Sequence, residues 1–192
     1  ERIAFEAVED AALDGIKIVE LRFSPDFMAR PANLDWDRMM EAMLRGIRRG
    51  EAKTDTIVGL IAIVSRSYGV KSAIETAAFA VNWRDSIAGF DLADMEEAVP
   101  AQELASAIAP VHKAGIPVTV HSGENTPANH IRESVDILGA RRIGHGVSLI
   151  EDEALIEQCI QQNIHIEACP TSNLRTHAVN ALSNHPALNL LN

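Results

Sequence analysis

Short apolar runs alternate with longer stretches of helical periodicity along the whole chain, and this regularity constrains the fold more than any other feature. The spacing predicts strands at residues 16–23, 56–64, 86–93, 116–120, 142–144 and 163–168. Between and around them it predicts helices at 1–15, 35–49, 70–81, 100–114, 127–138 and 152–162, with 176–191 mostly helical. Strands apolar on both faces are expected of a buried parallel sheet. Strands that alternate with helices of this length are joined by right-handed crossovers. The fold class is therefore α/β. No linker or composition shift divides the chain, so residues 1–192 are expected to form a single domain.

Two architectures satisfy that alternation, an open doubly wound sheet and a closed barrel. A dinucleotide fold carries a glycine fingerprint after a strand. Here Gly144-His145-Gly146 comes nearest, but Leu149 stands where the third glycine belongs, and no P-loop occurs. Every expected strand instead ends in polar residues: Arg22 and Ser24, Ser65 and Arg66, Asp91 and Asp94, His121 and Glu124, His145, and Glu167. In a barrel those ends meet on one active-site face, so the pattern favours a barrel. Closure takes eight βα units and six are visible, so a gap is expected between the first and last strands.

Composition narrows the partners. With 17 Lys+Arg against 27 Asp+Glu the net charge is −10, which argues against binding a phosphate backbone. No apolar run is long enough for a membrane span, and no signal or lipidation motif is visible. The two cysteines, Cys159 and Cys169, suit a reducing compartment, and a cytoplasmic location is expected. The chain opens directly into a helix-patterned stretch with no N-cap residue, so a piece of a longer protein is expected.

Three segments stand out chemically. In Val118–Asn125, VTVHSGEN, a histidine ends a strand and a glycine turn separates it from a carboxylate. His121 suits a metal ligand and Glu124 a general acid or base; equally, the pair reads as a strand-end histidine and a solvated loop glutamate. In GHG, glycines on both sides of His145 allow close approach of a ligand, or merely a turn. In FDLADMEE, Asp91, Asp94, Glu96 and Glu97 crowd one strand end, as a binding site or as an acidic loop. LRFSP and EACPTSN are weaker signals. His112, His130, His165, His177 and His185 read as structural or solvated. No lysine ends a strand as a Schiff-base aldolase needs. HExxH and the PCxxC zinc signature are both absent.

Taken in order, LRFSP, DLA with its acidic cluster, HSGE, GHG and CPTSN resemble the motifs of the adenosine deaminase family, and the resemblance spans the chain. It implies a zinc-dependent (β/α)8 TIM barrel, of which strands two to seven are present here. It implies hydrolysis of adenosine and deoxyadenosine to the inosines and ammonia in purine salvage. Adenine and AMP deaminases have similar motifs, and a related aminohydrolase or a non-catalytic barrel binding protein is the alternative. By this resemblance His121 is a ligand of one Zn2+. Glu124 is the acid that protonates the purine ring, and His145 orients the zinc-bound hydroxide. Asp94, Glu96, Ser24 and Arg66 are expected to meet the substrate. The implied partner is a small purine nucleoside, with no nucleic acid or membrane. The family's His-x-His pair on the first strand and Asp-Asp pair on the last have no counterpart in these residues. Asp94 stands where the family has glycine.

Overall fold

A computed structural model of the chain describes residues 1–190. Its elements run α1 Arg2–Leu13, β1 Ile18–Phe23, α2 Pro25–Ala29, α3 Trp36–Glu51, β2 Ile57–Ser65, α4 Gly69–Asn82, β3 Gly89–Ala93 and α5 Ala101–Lys113. The second half runs β4 Val118–Ser122, α6 Ala128–Asp136, β5 Arg142–His145, α7 Glu153–Gln161, β6 His165–Glu167, α8 Pro170–Arg175 and α9 Ala187–Leu190. The six strands are all parallel and pair in chain order, β1 to β6. They form a curled partial (β/α) barrel. Among the described residues β1 and β6 are not paired with each other, so the sheet has the expected two open edges.

The core lies between the sheet and its helices. Phe90 and Leu92 of β3, Val120 of β4 and Ile143 of β5 are wholly buried, as are Leu104 and Ile108 of α5 and Ile131 of α6. Burying each such side chain fully is worth roughly 1.5–3 kcal/mol. The starts of α3 and α7 are fixed by side chains: Asp35 accepts from the Arg38 amide at 2.9 Å and Asp152 from the Leu155 amide at 3.0 Å.

Two expectations need correction. The strands are not generally apolar on both faces. Alternate residues carry Glu20 and Arg22 on β1, Asp91 on β3, His121 on β4, Arg142 on β5 and Glu167 on β6. Ion pairs join Arg22 to Glu167 at 2.5 Å and Arg142 to Glu20 at 2.7 Å. These pairs link the first strand to the last two, which side chains can do only across the concave face. The concave face carries these charges because they neutralise one another there, beside Ile61 and Ile63 of β2, which share the face with Arg22 and Asp91. The other apolar strand residues, such as Leu60, Ala62 and Val64, point outward to the helices.

The stretch 176–191 is not mostly helical. His177 adopts a left-handed backbone (φ +61°) after α8. A short 3-10 turn, Leu182–Asn184, and α9 are the only helical pieces that follow among the described residues. Asn180, Ser183 and Asn184 are weak helix formers, and Pro186 removes a donor. Leu191, the end of that expected helix, and Asn192 lie outside the described residues. Two short helices went unforeseen, α2 and α8, each begun by a proline at its first position.

Candidate active site

His121 lies on β4, next to last, and its ring is fixed from behind. Its Nδ1 donates to Asp91 Oδ1 at 3.0 Å, and Asp91 has no exposed surface. The other Asp91 oxygen faces Arg22 Nε at 3.3 Å. With the proton on Nδ1, the Nε2 lone pair is free, which is the arrangement that orients a metal-binding histidine. A zinc ion held by protein nevertheless takes at least three protein ligands. Among the described residues no three His, Cys, Asp or Glu side chains gather to supply them. His121 fits as one ligand, and the described residues do not complete a metal site.

Past β4 the chain turns at Gly123, whose left-handed backbone (φ +70°) suits glycine. The turn sets the Gly123 and Glu124 amides on one carboxylate. Glu96 Oε2 accepts from Gly123 N at 2.7 Å and Oε1 from Glu124 N at 2.9 Å. Thr126 Oγ1 adds a third bond, to Oε2, at 2.5 Å.

His145 ends β5, also with a left-handed backbone (φ +71°), and is 8% exposed. Its ring centroid lies 5.2 Å from that of His121, and Glu124 Oε1 is 3.4 Å from its Nδ1. Burial pushes its pKa below the ordinary histidine value, with the Glu124 charge opposing. His145 is thus held mostly neutral near pH 7.

Asn173 connects these groups. It is wholly buried on α8, and its Nδ2 donates to Glu124 Oε1 at 3.1 Å and to His145 Nδ1 at 2.9 Å. Its amide orientation is set from the far side. The Ala187 amide donates to His185 Nδ1 at 3.2 Å, so His185 carries its proton on Nε2 and gives it to Asn173 Oδ1 at 3.0 Å. Thr176 Oγ1 donates to Glu124 Oε1 at 2.7 Å. Asn173, Thr176 and His185 were not expected here from sequence; the only signal was the polar CPTSN run after β6.

The remaining expected residues divide. Asp94, Glu96, His121 and Glu124 line one cleft of about 360 Å³. Asp94 takes a left-handed backbone (φ +74°), unusual for a residue with a side chain. Ser65 Oγ donates to its carboxylate at 2.5 Å, and hydrogen bonds from Ser65 and Ser67 hold its pKa below the usual carboxylate range. Arg66 is 4% exposed, and its guanidinium donates to the backbone carbonyls of Glu96, Leu92 and His121. It ties the ends of β3 and β4 together. Ser24 caps α2, accepting from the Phe27 amide at 3.4 Å.

The fold and the site thus define a parallel (β/α) barrel segment with two histidines and a glutamate converging at its rim. Residues 1–192 match the family model for adenosine deaminase, and the chain belongs to that family. It is 41% identical over 191 residues to an adenosine deaminase of Erwinia tasmaniensis, covering all of this chain and 58% of that protein. Among solved structures it is similar to an adenine deaminase of Arthrobacter aurescens, with TM-score 0.90 and 25% identity. That match covers 98% of this chain and 57% of the other. It is also similar to the N6-methyl-AMP deaminase of Arabidopsis thaliana, with TM-score 0.85 and 25% identity, over 99% of this chain and 58% of that one. The chain thus spans somewhat over half the length of these relatives.

Proposed function

We propose that the protein to which this chain belongs is a zinc-dependent aminohydrolase that deaminates adenosine and deoxyadenosine. The observation that carries the reading is the convergence of Glu124, His145 and His121, with Glu124 and His145 sharing the Asn173 amide. Zinc, when bound, lowers the pKa of its water and supplies hydroxide at neutral pH. His121 offers its Nε2 as one of the ligands, and the others must come from beyond the described residues. The chain's own groups then handle the proton and the geometry. Glu124 takes two donors on Oε1, which leaves Oε2 to carry a proton to a ring nitrogen of the purine. Neutral His145, held by Asn173 through Nδ1, keeps its Nε2 proton as a directed donor toward the attacking oxygen.

Asp94 favours a second reading. A carboxylate in the cleft alters which purine fits, and relatives of this fold are an adenine deaminase and an N6-methyl-AMP deaminase. Ammonia release by the full-length protein from adenosine, deoxyadenosine, adenine and AMP tests both. Fastest turnover of the two nucleosides supports the first reading. Preference for adenine or AMP supports the second, and no release from any would leave a binding barrel.

A further inference from the structure

We propose that Glu96 is a positioning residue, a clamp that holds the Gly123–Thr126 turn and thereby aims Glu124, rather than a group that binds substrate. The role rests on reading Glu124 as the proton donor. Three bonds onto one carboxylate, from the Gly123 and Glu124 amides and the Thr126 hydroxyl, use most of its acceptor capacity of about four sites. Little remains for a substrate donor. Two successive backbone N–H groups aimed at one point make an anion-holding concavity. Glu96 supplies that anion from the neighbouring strand end.

The clamp is itself anchored. Arg66, buried beneath it, donates to the Glu96 carbonyl at 3.0 Å and to the His121 carbonyl. One guanidinium therefore sets the backbone at both Glu96 and the start of the HSGE turn. From the other side the turn is pressed against Ile131 and Ser148. A Cβ at Gly123 would meet Ser148 Oγ at 2.7 Å and the Ile131 side chain closer still. The turn is fixed between that wall and the Glu96 carboxylate. Without the carboxylate, two amide donors lose their partner and the turn is free to lift toward the cleft.

Glutamine at 96 is nearly isosteric but presents an NH2 to one of the backbone donors, so it can keep only part of the clamp. In the full-length protein, Glu96→Gln is expected to speed hydrogen exchange at the Gly123 and Glu124 amides by ~10-fold or more, as loss of a local protecting interaction does. It should lower kcat for adenosine by ~10-fold or more with KM held within about twofold, the pattern of a lost transition-state alignment. Glu96→Asp, which keeps the carboxylate, should recover part of both losses. Glu96→Ala extends the series, and if it fails to fold the glutamine variant decides. Wild-type exchange at both amides together with a raised KM would overturn the proposal and make Glu96 a substrate contact. Unchanged exchange alone would also overturn it. The exchange arm needs no turnover. If the wild-type protein deaminates no purine, the aminohydrolase reading and Glu124's role fall, while the clamp itself is still judged by exchange.

Discussion

Glu124 and His121 sit three residues apart, and under the proposed mechanism they have different tasks that substitution should separate. Glu124→Gln in the full-length protein keeps shape and leaves His121 untouched. It is expected to retain bound zinc while kcat falls by two orders of magnitude or more, the usual scale for general acid–base groups. His121→Ala should lose zinc affinity and activity together. Metal analysis beside turnover distinguishes the two, and near-normal turnover by Glu124→Gln would assign the proton to another group. Asn173 extends the argument. Asn173→Ala removes the donor that both Glu124 and His145 share, so kcat should fall by roughly 10–100-fold, the lower part of the range for such groups, with less effect on KM. A loss confined to KM would speak against its positioning role. His121, Glu124 and His145 were legible in sequence because glycines and strand ends mark them locally. Asn173 was not, because its bond to Glu124 joins residues 49 apart and no spacing encodes it. Arg66 and Glu96 were legible as rim residues. What the sequence could not tell is that most of their hydrogen bonds go to backbone groups of the neighbouring strand ends and turn.

The helices and strands were readable to within a few residues wherever apolar periodicity was long and unbroken. The failures share a cause. Residues 176–190 carry apolar residues at helical intervals, but Asn, Ser and Pro interrupt them, and local turn chemistry prevailed over periodicity. Polar residues alternating on the strands were hidden by the apolar neighbours that dominate each run. Packing between elements was equally invisible. Gly46 and Gly50 lie one turn apart on α3, where α1 crosses: a Cβ at Gly50 would meet Val8 Cβ at 2.6 Å, and one at Gly46 would strike the Glu1 carbonyl. Alanine is the better helix former by about 1 kcal/mol, whereas overpacking a close contact costs roughly 1–3 kcal/mol. Gly50→Ala is therefore expected to destabilise the protein, by about 1 kcal/mol net on those ranges, as read from urea unfolding. A stabilised Gly50→Ala would show that α1 yields easily and that propensity prevails.

Across the whole molecule, a chain of polar and charged side chains spans the concave face from the candidate site to the open edges. It runs from His121 through Asp91, Arg22 and Glu167 to Arg142 and Glu20. Glu167 is its centre, accepting Arg22 at 2.5 Å and Arg142 at 2.6 Å. Burial alone would raise its carboxyl pKa, but the two guanidinium groups outweigh burial and hold it below the ordinary glutamate value. The folded protein then binds a proton at Glu167 less readily than the unfolded chain. The stability this supplies is complete above the unfolded value, about 4.5, and is lost as pH falls through the lower folded value. Both partners retain some solvent contact, so the pair's worth lies between that of an exposed and a buried bridge, about 1–2 kcal/mol. Urea unfolding from pH 7 down to pH 3 should show a midpoint that holds to about pH 5 and then declines. In Glu167→Gln the midpoint at pH 7 should already be lower, and the decline below pH 5 shallower. It will not vanish, because Asp26, paired with Arg30, and Asp152, held by the Leu155 amide and then by Arg132, also have depressed values and release stability as the pH falls further. A Glu167→Gln variant with the wild-type acid slope would mean that the pairs across the concave face contribute nothing to holding β1 and β6 in place.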